Sequence, residues 1–81
     1  MTISMTQQEV AEWILEILVK DLGLKPGDAL PDQELKRRYR ARNGDAADIK
    51  FGLGCAEAHE WLAYDESKDT WYLTALGYEY S

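Results

Sequence analysis

Cys55 and His59 stand four residues apart, a spacing that puts a thiol and an imidazole on one face of a helix, where they could share a ligand or form a thiol and imidazole pair. They are the chain's one cysteine and one histidine, and a zinc site or a nucleophilic dyad needs further ligands or an oxyanion loop. Glu57, Glu60, Asp65 and Glu66 make a carboxylate cluster, which reads as solvated surface in the absence of a cleft. The sequence contains no glycine motif of the kind that cradles phosphate. Neither catalysis nor a bound metal or cofactor is expected.

Charge is the second chemical signal. The net charge of −6 is segmental: residues 1–32 carry −4, residues 33–44 carry +4 and residues 45–81 carry −6. Such a field repels nucleic acid on average, yet a local basic face still attracts it. Lys36, Arg37, Arg40 and Arg42 in the basic island could grip phosphates, with Lys50 and Lys68 as further contacts. The same cations could instead form a solvated helix face, pair with Glu12, Glu16 and other acids, or meet an acidic partner.

These groups must be positioned by a small framework. Eighty-one residues suit one domain (1–81) with a single core and little room for a deep cleft. Hydrophobic content of 46% argues for an ordered globule. One cysteine allows no internal disulfide, so a reducing cytoplasm is the expected setting. The N-terminus lacks the pattern of a signal peptide. Glu12 and Glu16 interrupt the longest apolar run, so no membrane span is expected.

The first helix is announced by Thr6-Gln7-Gln8-Glu9, a capping box, with Met5 and Val10 placed to form a hydrophobic staple. Val10, Trp13, Ile14, Ile17 and Leu18 form its buried stripe, widened by Ala11, Leu15 and Leu22. Gly23 is a natural left-handed stop near Leu22. Residues 28–30 could add a short strand. A second helix begins near Pro31 or Asp32, buries Leu35 and Tyr39, and ends at Asn43-Gly44.

Asp45 caps a third helix whose buried face is Ile49, Leu53 and Ala56. Gly52 and Gly54 each cost about 1 kcal/mol relative to alanine inside a helix, so either another backbone approaches closely or the helix is irregular. Its exposed face then holds Ala47, Phe51, Gly54 or Cys55, and Ala58; a phase one residue different would put Phe51 in the core. Two strands follow, Trp61 to Tyr64 and Thr70 to Thr74, joined by the polar turn Asp65 to Asp69. Thr74 can cap a closing turn with Leu76, Gly77 and Tyr80.

Leu53-x-x-Ala56, Trp61-Leu62 and the ending Leu73-Thr74-x-x-Gly77-x-x-Tyr80 together resemble the winged helix-turn-helix superfamily over residues 30–80. One departure is Glu60, where many members carry glycine before the aromatic-leucine pair. The resemblance implies an α+β fold, a three-helix bundle closed by a C-terminal β-hairpin (α-α-α-β-β). It also implies a third helix entering the major groove and a wing at Asp65 to Asp69 touching backbone or minor groove.

The residues fit that DNA-reading role poorly. Base edges are read by Arg, Lys, Asn or Gln, and Lys50 is the sole such candidate on the third helix, beside Asp45 and Asp48. The wing offers Lys68 among acids. The third helix presents instead a mildly apolar surface, and protruding aromatics are enriched at protein interfaces. The expected function is a non-catalytic module docking on a protein partner, or on itself, through Ala47, Phe51, Cys55 and Ala58. The alternative is a DNA-binding regulator using Lys36, Arg37, Arg40, Arg42, Lys50 and Lys68.

Overall fold

Thr6 starts the first helix as its sequence requires: its hydroxyl accepts from the Glu9 amide at 3.1 Å while the Glu9 carboxylate accepts from the Thr6 amide at 3.0 Å. In the computed structural model, which describes residues 6–80, this opens α1 (Gln7–Glu16). Met5, the other half of the expected staple, lies outside the described residues. Val10, Ala11, Ile14 and Leu15 are buried; Trp13 is half-buried and meets Tyr39 edge-on, ring centroids 5.2 Å apart.

The last turn differs from expectation. Ile17–Asp21 widens to a π-helical turn, with the Leu22 amide donating to the Ile17 carbonyl five residues back. Ile17 and Leu18 are both buried by it, and the chain leaves through Gly23 at φ 66°. β1 (Ala29–Pro31) follows, then α2 (Asp32–Ala41), which buries Leu35 and Tyr39.

α3 (Ala46–Ala58) is capped by Asp45, whose carboxylate accepts from the Ala47 amide at 2.9 Å. Ile49, Leu53 and Ala56 are buried, in the expected phase, and so is Gly52. A Cβ built on Gly52 would overlap the Val10 side chain, so α1 and α3 touch there without room for a methyl group. A Cβ on Gly54 would meet nothing within 4 Å. The two glycines therefore answer differently: Gly52 is a close approach and Gly54 is open surface.

The chain leaves α3 at Glu60. Glu60 has φ 62°, the Trp61 amide donates to the Ala56 carbonyl and the Glu60 amide to the Glu57 carbonyl. That is a Schellman ending with a glutamate in the left-handed position usually held by glycine.

β2 (Leu62–Asp65) and β3 (Thr70–Leu73) pair antiparallel, and β1 pairs with the other edge of β3, giving the order β1-β3-β2. The register sets Leu62 opposite Leu73 and Tyr64 opposite Trp71, so these four share a face as alternation requires. Leu62, Leu73 and Trp71 are buried there with the helix core.

α4 (Ala75–Tyr80) closes the chain. The Thr74 hydroxyl accepts from the Gly77 amide and itself lies within hydrogen-bond reach of the Glu60 and Trp61 carbonyls, to one of which it donates. A Cβ on Gly77 would stand 3.0 Å from the Trp61 carbonyl carbon, so only glycine lets α4 sit on the end of α3. The fold is α+β, with four α-helices and a three-stranded antiparallel sheet among the described residues. Among them, no helix is long and apolar enough to cross a membrane.

Candidate functional site

Two surfaces carry the residues singled out by chemistry, and α2 and α3 position both. On α2, acids in the first turn stand one helical turn before the cations. Lys36 Nζ lies 2.8 Å from Asp32, Arg38 Nε lies 3.0 Å from Glu34, and Arg37 is bound to Glu34 as well. Burial raises the Asp32 pKa, but hydrogen bonds from Lys36 and the Trp71 indole, with the Lys36 charge, outweigh it and hold the carboxyl below its ordinary range. A hydrogen bond from Arg38 outweighs burial at Glu34 and, with the Arg37 and Arg38 charges, does the same there.

Arg42 is turned away from that surface. Its guanidinium lies 3.4 Å from Glu16 and 3.5 Å from Asp21, and its Cζ sits 5.7 Å from the centroid of the Trp13 ring. Arg42 thus ties the end of α2 to α1. Arg40 makes no ion pair among the described residues. Lys36, Arg37 and Arg40 line one shallow surface of α2. Lys36 also reaches a groove with Lys50, Tyr64, Asp69 and Trp71 between α2, α3 and the hairpin, where its charge is balanced by acids.

Within that groove the Tyr64 hydroxyl is hydrogen-bonded to Asp69. This bond, aided by burial and by the Asp69, Asp32 and Glu66 charges, pushes the Tyr64 pKa up to about 12. The hairpin turn is held by the Asp65 carboxylate, which accepts from the Ser67 amide at 3.0 Å and from its hydroxyl at 2.7 Å. Lys68 is exposed at this turn among acids. The nucleic-acid candidates therefore do not form one surface: Lys36, Arg37 and Arg40 share α2, Lys50 shares a groove with Lys36, Lys68 lies on the turn, and Arg42 faces α1.

The second surface is the outer side of α3. Phe51 is 59% exposed, the most of any large hydrophobic residue among those described. Ala47, Gly54 and Ala58 are exposed along the same side, while Cys55 is half-buried and packs against the core. Phe51 belongs to solvent because Ile49, Gly52 and Leu53 take the core positions around it.

No family model matches the chain, and no curated protein matches it either. What can be said of function comes from these surfaces.

The side chains with nucleophile or ligand chemistry have other neighbours: Cys55 packs against the core and His59 meets an aromatic ring. The His59 ring is stacked on Trp61, centroids 4.4 Å apart and planes 17° off parallel, and Trp61 is stacked in turn on Tyr80 at 4.2 Å. The Tyr80 hydroxyl is hydrogen-bonded to Glu12, which lowers the Glu12 pKa and raises that of Tyr80. Among the described residues, no three His, Cys, Asp or Glu side chains converge to hold a metal ion. The three-ring stack escapes sequence reading because Tyr80 reaches Trp61 only once α4 has folded back over the end of α3.

Proposed function

We propose that this chain is a non-catalytic, winged-helix-like module that docks on protein through the outer face of α3. The order α1-β1-α2-α3-β2-β3, with β1 beside β3, supports the winged-helix arrangement: α2 and α3 as the helix pair and β2–β3 as the wing. The observation that carries the docking function is Phe51, a large apolar side chain left 59% exposed among Ala47, Gly54 and Ala58. Aromatic anchors of this kind supply much of the affinity of protein interfaces because they bury a large area with few rotors.

The arginines argue in the same direction. A phosphate-gripping helix needs cations free to exchange counterions, and Lys36, Arg37, Arg38 and Arg42 are engaged by acids of α1 and α2. DNA binding through Lys36, Arg37, Arg40, Arg42, Lys50 and Lys68 is the second reading, supported by Arg40, which makes no ion pair among the described residues and lies on one surface with Lys36 and Arg37.

A photoreactive phenylalanine analogue in place of Phe51, activated in cells, separates the two. Protein adducts at position 51, lost when the analogue is moved to exposed Glu79, are the expected result. The docking function is refuted by absence of protein adducts at position 51; duplex DNA binding that falls steeply with salt and disappears in an Arg37→Glu, Arg40→Glu double variant then supports the second reading.

A further inference from the structure

Resting on docking through α3, we infer that the partner of this face is α3 of a second copy of the chain, lying antiparallel across a two-fold axis. The exposed positions Ala47, Phe51, Gly54 and Ala58 are spaced four, three and four residues apart, the rhythm of a helix-pairing seam. Phe51 is a protruding knob, and at Gly54 there is open space, with nothing within 4 Å of an added Cβ. A parallel pair in register would set knob against knob. An antiparallel pair sets Phe51 of each copy over Gly54 of the other and Ala47 over Ala58.

The flanking charges select the same arrangement. Lys50 and Glu57 each immediately precede a seam residue, are both exposed and lie two turns apart on one flank of α3. Neither makes an ion pair among the described residues. In an antiparallel pair, equivalent flanks face each other, so Lys50 of each copy meets Glu57 of the other, twice by symmetry. On the opposite flank Asp48 meets Cys55, so within the α3 pair no carboxylate faces another. In a parallel pair Lys50 would face Cys55 and Glu57 would have no partner.

The contact is small. Twelve residues of helix span about 18 Å, and the −6 of each copy opposes approach. The dimer is therefore weak, with a Kd on the order of 10 to 100 µM, as befits an interface below the standard size.

Sedimentation equilibrium of the full chain over a concentration series tests the pairing, read beside photo-crosslinking from position 51. The wild type is expected to dimerise, Lys50→Glu and Glu57→Lys each to weaken the dimer by about tenfold or more, and the Lys50→Glu, Glu57→Lys double variant to restore it. Phe51→Ala should abolish it, with an unchanged circular dichroism spectrum showing that the fold persists. A monomeric wild type at millimolar concentration, or a dimer indifferent to both single swaps, overturns the self-pairing. Adducts only to a different protein also overturn it while leaving docking through α3 intact, whereas no protein adduct of any kind overturns both.

Discussion

The backbone of Gly52 lies against Val10, so close that a Cβ on Gly52 would come within 2.8 Å of the Val10 Cβ and closer still to one of its methyl carbons. This contact seats α3 on α1 and fixes which side of α3 is left outside. Phe51 is exposed because its neighbour Gly52 takes the position facing α1.

Alanine at the two central glycines of α3 should therefore have opposite effects. Gly52→Ala should destabilise by about 1 to 3 kcal/mol through overpacking. Gly54→Ala, into open space, should stabilise by about 1 kcal/mol from helix propensity. Urea denaturation at low micromolar concentration, below any dimerisation, measures both; equal signs would show that α1 and α3 do not meet at Gly52.

Glu60 holds the left-handed position of a Schellman ending at φ 62°. Left-handed backbone costs a side-chain-bearing residue about 1 to 2 kcal/mol, part of which glycine gives back through its freer unfolded state. Glu60→Gly should stabilise by up to about 1 kcal/mol, raising the urea midpoint without changing the slope. A loss of stability would mean that the exit from α3 is not left-handed.

Phe51→Ala should cost less than about 1 kcal/mol in monomer stability, because truncating a buried phenylalanine costs about 3 to 5 kcal/mol and this ring is largely in solvent. A loss on the buried scale in thermal or urea unfolding would return Phe51 to the core and remove the docking face.

Arg42→Ala should destabilise by about 1 kcal/mol, since the guanidinium lies over Trp13 and between Glu16 and Asp21. Arg37→Ala, on the exposed side of α2, should change stability by no more than about 0.5 kcal/mol. The contrast, measured by denaturation, distinguishes a structural arginine from a surface one.

Tyr64 should resist ionisation until about pH 12, because its hydroxyl donates to Asp69. The folded chain favours the neutral phenol, so the contribution is fully present below the unfolded tyrosine pKa of about 10 and is lost as pH rises through about 12. Tyrosinate absorbance during alkaline titration reads this directly: Asp69→Asn should move the highest-titrating tyrosine down, and Tyr64→Phe should remove it.

Much of the framework was legible because it is local. The Thr6–Glu9 box, the Asp45 cap and the Thr74 cap each join groups two or three residues apart, and the buried stripes follow from helical and strand periods. The exposure of Phe51 followed from the Ile49, Leu53 and Ala56 phase, although one residue of slip would have reversed it. The fate of the arginines was less legible. Their first-turn acids Asp32 and Glu34 are near in sequence, but Arg42 finds Glu16 across 26 residues.

The sequence by itself determined the order of the helices and of the hairpin strands, and most of their ends to within about one residue, because caps, glycines and apolar periods act over one turn of chain. It also determined that acids outnumber bases on either side of a basic helix. Only the tertiary structure decided what those residues do. Packing of α1 on Gly52 set the outer face of α3, and the return of α2 past α1 drew Arg42 inward. The fold of α4 over Trp61 built the His59–Trp61–Tyr80 stack. Such contacts depend on how whole elements come to rest against one another, and no residue carries that information within its own turn of helix.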